Sequence, residues 1–358
     1  MKPHLKIIYE DIQVIVSNLN EYFDKISGST FVITGPNGLI ASYIVDTLIY
    51  LNDHRLLKRP CKILGLERLP ITKRDRLGHL LGKKDVYFVQ HDVRQPYKFR
   101  HRVDYIVHAA GWSAPATFLS DPLGTVDVNL KGIRWILDYA KENKVKSLLY
   151  MSSGEIYGNP SKENIPTPET YNGNVSTLAP RACYTESKRL SETLCNIYYQ
   201  LYKVPVKIAR PFIVYGPGLA ITDRRVMADF MRFGIEKKPI EMLSEGLDTR
   251  SYCYITDATI LFFKLLFSKY DAQPFNVANN REEISIRELA ELVHRACGIK
   301  KKVKVKKTEG THFISDAPSR VCPDISRAEE LLEFDPKVGI KEGLARTINW
   351  NKAFFNKK

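Results

Sequence analysis

The stretch Thr34-Gly35-Pro36-Asn37-Gly38-Leu39-Ile40-Ala41 decides the fold, because it sets a glycine-bearing turn between two differently patterned runs. The run Thr30 to Thr34 predicts a strand, and the run Ser42 to Leu51 predicts a helix. Gly35 permits a tight turn, and Gly38 lets the backbone approach a pyrophosphate. The N–H groups and the positive dipole end of the following helix suit such an anion. The residues that we expect to contact a dinucleotide here are Gly35, Asn37, Gly38, Leu39 and Ile40.

The same order of strand and helix repeats up to about Pro211. Further strands are predicted at 62–66 (ending at Glu67), 86–90, 105–108, 147–151 and 206–209, with helices near 126–142 and 184–202. Such alternation predicts an α/β fold, a Rossmann-type doubly wound parallel sheet with helices on both faces. Ligands of such sheets bind at the carboxyl ends of the strands, so the residues that follow each strand are the candidates for function.

The pattern divides the chain into three parts. Apolar residues at helical spacing over residues 4–24 predict an added N-terminal helix, and the alternation loosens beyond Pro211. The expected parts are an N-terminal helical extension (1–28), a dinucleotide-binding domain (29–210) and a smaller α/β substrate domain (211–358), from which the chain returns to the sheet near 250–280.

Composition excludes several classes of protein. With 358 residues, 26% charged and 44% apolar, the chain is an ordinary globular one. No apolar run reaches the ~18 residues of a spanning helix, and the N-terminus does not resemble a secretory signal. The six cysteines show no CxxC spacing, which fits a reducing cytoplasm and predicts neither a metal site nor a disulfide framework.

The net charge of +14 favours anionic partners such as nucleic acid, phosphorylated small molecules or an acidic membrane face. Part of it lies in KKKVKVKK (300–307), whose alternation predicts a half-buried strand with a solvated basic face. Neither zinc-finger spacing nor an aromatic RNA-binding motif accompanies this charge, so we expect no specific nucleic-acid partner.

Two strand ends bear on the choice of cofactor. Glu67 can accept hydrogen bonds from ribose hydroxyls, which favours NAD, whereas Arg68 could pair with the 2′-phosphate of NADP. We expect NAD. Asp92 and Val93 follow the third strand and are placed to touch the adenine, with a turn or helix cap as the alternative for Asp92.

Three residues predict acid–base chemistry. Tyr184 and Lys188 stand one turn apart on one helix face. A tyrosine is a poor base at its ordinary pKa of ~10, but a nearby ammonium and an oxidised nicotinamide would stabilise its phenolate. Ser153, after the fifth strand, can bond the same substrate hydroxyl.

From residue 29 to residue 350 the chain resembles the extended short-chain dehydrogenases/reductases that modify nucleotide sugars. The segments that carry the resemblance are TGPNGLIA (34–41), HAAG (108–111), SSGEIYG (152–158), YTESK (184–188), ARPFIVYGPG (209–218), TRSYCYITD (249–257), FNVAN (275–279) and CPDISRAEELL (322–332). The segments 113–132 and 179–193 are most similar to the UDP-glucuronate decarboxylases.

The resemblance implies roles for further residues. It places Ala109 and Ala110 on the cofactor, gives Glu155 a part in catalysis, and puts Arg225 and Arg250 on the diphosphate and sugar. The alternative for Glu155 is a turn cap. For Arg250 we expect binding of the diphosphate, with binding of a carboxylate as the alternative. We also expect a packing or hydrogen-bonding role for His108, and for Arg320 either a role as nucleotide-phosphate ligand or a surface ion pair.

Gly154 departs from the family pattern, in which the decarboxylases tend to have serine and the 4,6-dehydratases have aspartate. It argues strongly against a 4,6-dehydratase and less strongly against a conventional decarboxylase. The function expected from the resemblance is oxidation of a nucleotide-diphosphate sugar at C4 by NAD, followed by decarboxylation. The alternatives are 4-epimerisation, release of the 4-keto sugar as in a 4-dehydrogenase, or an inactive nucleotide-binding scaffold. The resemblance also implies a homodimer formed through the helices near 126–142 and 184–202.

Overall fold

The structure, a computed structural model, describes residues 2–305 and 318–355. Its strands are β1 Thr30–Thr34, β2 Lys62–Glu67, β3 Val86–Gln90, β4 Tyr105–His108, β5 Ser147–Met151, β6 Val206–Pro211, β7 Ile213–Tyr215, β8 Glu241–Met242, β9 Thr249–Tyr254, β10 Pro274–Val277, β11 Glu283–Ser285, β12 Lys304–Val305 and β13 Arg320–Val321. Its α-helices are α1 Pro3–Ser17, α2 Phe23–Ile26, α3 Leu39–Asp53, α4 Pro115–Ser120, α5 Pro122–Asn143, α6 Ala182–Tyr202, α7 Val226–Ile235, α8 Ile255–Leu266, α9 Ile286–Cys297, α10 Ser326–Leu332 and α11 Ile340–Phe355.

Seven parallel strands form the central sheet in the order β10-β6-β5-β4-β1-β2-β3. The order reverses beside β1, where β4 pairs on one side and β2 on the other. Ligands of doubly wound sheets bind at such a switch point, beyond the carboxyl ends of the strands. The predicted doubly wound fold is confirmed.

The predicted helices are correct in place but begin too late. α5 begins at Pro122, and Asp121 caps it by accepting a hydrogen bond from the Gly124 amide (2.9 Å). An acidic N-cap residue followed by proline marks the start of a helix, and a prediction from the spacing of apolar residues alone does not take this signal into account. α3 likewise begins directly after Gly38, so the glycine-bearing turn leads straight into the helix.

The N-terminal helix is shorter than its apolar spacing predicts, and it packs into the main core. Ser17 Oγ and Asn18 Nδ2 both donate to the Val14 carbonyl (2.8 and 2.9 Å), and α1 ends there. The helix contacts α3, α8 and α11. Its buried Asp11 carboxylate accepts bonds from Tyr43 and Tyr254, which fixes α1 to α3 and to the end of β9.

Beyond Pro211 the chain builds smaller sheets and then returns to the large one. β9 lies between β11 and β13 and also pairs with β7, while β10 pairs with β6 in the central sheet. Among the described residues of the basic run, Lys304 and Val305 form strand β12, which pairs with β8, and both are exposed. The predicted half-buried strand is wrong for Lys302 and Val303, which lie outside any strand, and Lys306 and Lys307 lie outside the described residues.

Within residues 2–305 and 318–355, no helix combines the length and the apolar character that crossing a membrane requires.

Candidate active site

The turn after β1 is held against the end of β4. Gly35 has φ +64°, and a Cβ there would lie 2.9 Å from Ala110 Cα, so both its conformation and its surroundings require glycine. The first-turn N–H groups of α3, on Leu39 and Ile40, have no acceptor within their own helix. Backbone donors at a positive helix end fit a phosphate anion, so the residues present fit a dinucleotide.

Thr34 ties this turn to β4. Its hydroxyl accepts hydrogen bonds from the amides of Ala109 (3.2 Å) and Ala110 (3.1 Å), and it lies 2.9 Å from His108 Nδ1. Because the Thr34 oxygen already accepts twice, we assign its O–H as the donor to His108. Burial, with a contribution from Lys188, lowers the pKa of His108 to about 3, so this ring is a neutral packing group.

Glu67 stands at the end of β2 beside the glycine turn. Its carboxylate accepts hydrogen bonds from the amides of Asn37 and Arg68, both at 3.1 Å. Burial raises the pKa of this carboxyl. Each carboxylate oxygen keeps a further acceptor position, so Glu67 can still bond ribose hydroxyls. The Arg68 guanidinium lies over the Trp112 ring, 5.6 Å from its centroid.

Asp92 is held in its turn by a local partner. Arg94 donates from its backbone amide (2.9 Å) and pairs through its guanidinium with the same carboxylate (2.5 Å). These contacts fit the turn role that was the alternative to contact with adenine. The neighbouring Val93 is buried, and its carbonyl accepts from the Trp135 indole (2.6 Å).

Ser153 and Tyr184 meet at the carboxyl edge of the sheet. Ser153 follows β5, and its Oγ accepts from the Glu155 amide (3.1 Å), which leaves its O–H to bond the Tyr184 phenol. Burial raises the pKa of Tyr184 to about 12, against the opposing effects of the Ser153 bond, Arg225 and Arg181. The protein alone therefore keeps the phenol protonated, and a further positive charge is needed to make it a base.

Lys188 lies under the tyrosine ring. Its Nζ is 5.9 Å from the Tyr184 ring centroid and 5.0 Å from that of Tyr150, and it donates to the Met151 carbonyl (2.8 Å). Burial lowers the pKa of this ammonium to about 8, although the charge of Glu192 opposes the shift. The predicted group of Ser153, Tyr184 and Lys188 thus lies together, with the ammonium at the ring face.

Charged side chains surround the phenol. Glu155 pairs with Arg181 (2.6 Å), a contact absent from the sequence-based prediction, and its charge acts on both Tyr184 and Arg250. Burial lowers the pKa of Arg250, whose Nη1 donates to the Thr249 carbonyl (2.8 Å).

Two predicted arginines have acidic partners. Arg225 precedes α7 and pairs with Asp223, yet its charge still reaches Tyr184. Arg320 forms a two-point ion pair with Glu283 across β9, with contacts of 2.8 and 2.9 Å. This is the surface ion pair that was the alternative for Arg320.

α4 forms a wall beside the phenol. The Phe118 ring stacks on the Tyr184 ring at 4.9 Å and 9° between planes. The outer side of α4 and residues 222–224 line a hollow of about 310 Å³, next to Arg225. In the part of the chain that the structure describes, no three His, Cys, Asp or Glu residues are placed to hold a metal ion.

A buried ion pair that the sequence reasoning missed supports this site. Glu192 is one turn beyond Lys188, and its carboxylate accepts from the Ser152 hydroxyl (2.5 Å) and from Arg210 (2.7 and 3.0 Å). The two charged side chains are only 11% and 9% exposed. Arg210 also donates to Tyr157 Oη (2.7 Å). The spacing of Glu192, one helical turn after Lys188, was a signal present in the sequence. Its partner Arg210 lies on β6, a contact that spacing does not reveal.

Phe212 fills the space beside Gly154. A Cβ at position 154 would lie 2.7 Å from the Phe212 ring, closer than carbon atoms approach without moving. The ring also stacks near Tyr157 at 5.8 Å. The Phe212 ring therefore occupies the space that a side chain at position 154 would need, and no opening is left there.

We expect Gly154→Ser to destabilise the protein by roughly 1–3 kcal/mol, because the Phe212 ring must move to admit the new side chain. Urea unfolding measures this cost. In a Phe212→Leu background the same substitution should cost less, which a double-mutant cycle resolves. Equal costs in both backgrounds would show that the ring does not set the tolerance of position 154.

Comparisons with known proteins agree with this geometry. The model of the NAD dependent epimerase/dehydratase family matches residues 31–278. UDP-glucuronic acid decarboxylase 1 of Arabidopsis thaliana is 32% identical over 318 residues, 89% of this chain and 68% of that protein. UDP-glucuronic acid decarboxylase 5 of the same plant is also 32% identical over 318 residues, which cover 89% of this chain and 88% of that protein.

A solved structure shows the same fold. UDP-glucuronic acid 4-epimerase from Bacillus cereus, in complex with UDP-glucuronic acid and NAD, superposes with a TM-score of 0.74 and 20% identity. The match covers 91% of this chain and all of that one.

Proposed function

Because this chain belongs to the NAD-dependent epimerase/dehydratase family, we propose that it decarboxylates a nucleotide-linked uronic acid, with UDP-glucuronate as the substrate. The observation that carries the proposal is the contact of Ser153 with Tyr184 above Lys188, at the carboxyl edge of the sheet. The similarity to UDP-glucuronic acid decarboxylases over 89% of the chain supports this choice among reactions.

NAD is the cofactor, and when bound it accepts the C4 hydride and later returns it. We assign its contacts to the glycine turn, to Glu67 and to the Ala109–Ala110 backbone, where the donor set fits phosphates. Asp92 and Val93 stay candidates for the adenine end, although Arg94 holds Asp92 in the turn.

In the first chemical step Tyr184 removes the proton of the 4-hydroxyl. The Ser153 hydroxyl donates to the phenolate and holds the sugar oxygen in line. The positive charges of Lys188, Arg181 and Arg225 stabilise the phenolate form. Tyr184 returns the proton to the same oxygen when the C4 ketone is reduced.

A ketone at C4 makes the C6 carboxylate a β-keto acid. The C5–C6 bond breaks, carbon dioxide leaves, and the electron pair passes to the C4 carbonyl. C5 then takes one proton, so the overall change is UDP-glucuronate plus a proton giving UDP-xylose and carbon dioxide. We assign to Glu155, which is 43% exposed and which Arg181 orients, the transfer of this proton from solvent to C5, and to Arg250 the carboxylate or diphosphate. Arg225 is assigned to the diphosphate, and Arg320 would have to leave Glu283 to join it.

Incubation of the purified protein with UDP-glucuronate and NAD tests the proposal. Mass spectrometry and NMR should show UDP-xylose and released carbon dioxide. UDP-galacturonate as the product would establish the 4-epimerase alternative, and an accumulating 4-keto sugar the 4-dehydrogenase. Unchanged substrate would exclude all three reactions for this sugar and favour the scaffold.

We also propose a homodimer that forms through α5 and α6. These helices pack together, and Leu190, Leu194 and Ile197 repeat along one face of α6. Leu190 and Ile197 are 46% and 41% exposed and lie on the same face of α6, so they form an exposed apolar patch of the kind that marks an interface. Light scattering should give twice the chain mass, and Leu190→Glu with Ile197→Glu should give the monomer. A monomeric unmodified protein at micromolar concentration contradicts this interface.

A cytoplasmic location is proposed as well, because the cysteines lack the spacing of a disulfide framework. Recovery of the active protein only from an oxidising compartment would refute it.

A further inference from the structure

The edge of the sheet opposite the candidate active site is formed where the strands begin. Because the strands are parallel, their amino ends share one edge, and β1 aligns Thr30 with Lys62 on one side and Phe31 with Tyr105 on the other. The Asp104 amide donates to the Thr30 carbonyl (2.9 Å), and the Lys146 amide donates to the Asp104 carbonyl (2.8 Å). The segments that lead into these strands are therefore direct neighbours in space.

These segments carry most of the net positive charge of the chain. We call them the basic edge: residues 54–62, 83–85, 98–104 and 141–146. They hold twelve lysines and arginines against three acids, in a chain whose total is +14, and two of the lysines, Lys58 and Lys83, pair with Asp24 and Asp53 from outside these segments (2.8 and 2.6 Å). Asp104 is one of those acids, and its carboxylate already accepts from the Thr30 amide (3.0 Å) and pairs with Lys146 (3.0 Å).

Local stabilisation accounts for only part of this charge. Cations at the carboxyl ends of helices stabilise those helices, which explains Arg55 after α3 and Lys144 after α5. The segment 98–104 follows no helix, and its Lys98 and Arg100 are exposed. The charges of Lys98 and Arg100 therefore face solvent, where an anionic partner can reach them.

We infer that the basic edge docks on an anionic phospholipid bilayer. The cations are spread over the starts of β5, β4, β2 and β3, four of five adjacent strands with β1 in the middle, roughly 15–20 Å at the usual strand spacing, and so offer a broad surface. Lysine outnumbers arginine in these segments. A lysine ammonium attracts anionic headgroups as a point charge, without the paired hydrogen bonds by which arginine recognises a single phosphate. Leu56, 41% exposed, lies among the cations and suits the headgroup boundary.

The aromatic residues of the basic edge argue against nucleic acid as the partner. Single-stranded nucleic acid is held by exposed rings on which bases stack. Phe99 is already packed against Tyr139 (4.5 Å) and Tyr97 (5.0 Å). In the docked orientation the carboxyl edge, with Tyr184, faces away from the bilayer, so substrate has free access.

Vesicle sedimentation of the full chain tests the inference. The protein should bind vesicles of phosphatidylcholine with about 30% phosphatidylserine, and not vesicles of phosphatidylcholine alone. Binding should fall steeply between about 0.05 and about 0.5 M salt, because the attraction is screened. The variant K98E/R100E/R102E should bind at least about tenfold more weakly.

The matched control is K300E/K301E/K302E, which changes the net charge equally on exposed residues outside the basic edge. It should keep binding within about twofold of the unmodified protein, since those charges do not face the bilayer. The inference is overturned by equal loss in both variants, by equal binding to neutral vesicles, or by binding to single-stranded RNA but not to anionic vesicles. Thermal unfolding of each variant checks that it folds, and the lipid and salt dependence of the unmodified protein decides the matter without variants.

Discussion

Tyr184→Phe is expected to lower the turnover of UDP-glucuronate about 10³-fold while the protein keeps its fold and its NAD. The substitution removes one oxygen, the only atom of this side chain that can take the 4-hydroxyl proton. The ring stays, so its stacking on Phe118 and its contact with the Lys188 ammonium stay as well. Steady-state kinetics and the ratio of bound NAD to protein measure the two effects separately.

Tyr150→Phe is the matched control for this prediction. Tyr150 is also buried, and its ring centroid is nearer to Lys188 Nζ (5.0 Å) than that of Tyr184. Because it lies within β5 rather than after its carboxyl end, its hydroxyl has no part in the proposed proton transfer. Turnover should stay within a few-fold. A Tyr184→Phe protein as active as the Tyr150→Phe protein would remove the phenol from the mechanism.

Glu192→Gln is expected to cost about 3 kcal/mol of stability and to move the alkaline limit of activity to lower pH. The substitution leaves the Arg210 guanidinium buried with no carboxylate, which is the costly way to break a buried pair. It also removes the negative charge of Glu192, which counteracts the effect of burial on Lys188. Burial lowers the pKa of Lys188 to about 8, and without Glu192 we expect this pKa to fall further. Lys188 loses its positive charge as the pH rises through its pKa. With a lower pKa, its stabilisation of the Tyr184 phenolate is lost at a lower pH.

Glu186→Gln provides the comparison for Glu192. It lies on the same helix and pairs with Arg189 at 3.5 Å, but the two side chains are 39% and 36% exposed. Exposed pairs contribute about 0–1 kcal/mol, so its unfolding midpoint and pH profile should hardly change. If the two variants were equally stable and shared one pH profile, Glu192 would not be a positioning residue for Lys188.

The sequence predicted those parts of the molecule whose causes are local. The glycine turn, its strand and its helix follow from residues 30–53 alone, because a tight turn and two hydrophobic periods are encoded within one segment. The grouping of Ser153, Tyr184 and Lys188 also followed, since one helical turn and one strand end place them. Their burial, which sets the pKa of each, did not follow from spacing.

Contacts between distant segments were beyond sequence reasoning. Phe212 occupies the space beside Gly154, and Arg210 neutralises Glu192, yet neither pair is marked by any spacing in the chain. The alternatives for Arg320 were both open because its ion pair with Glu283 depends on which strands lie alongside each other. The alternation from Lys302 onward predicted a strand that begins too early, because the extent of a strand depends on its partner, here the two-residue β8.

The central claim is that Tyr184 takes the 4-hydroxyl proton as hydride passes to NAD. Single-turnover mixing of the NAD-loaded protein with UDP-glucuronate, followed by the absorbance of the reduced nicotinamide, tests it most directly. The account predicts a transient rise and fall before UDP-xylose appears, and no rise in Tyr184→Phe. Formation of UDP-xylose by Tyr184→Phe at the unmodified rate would contradict it.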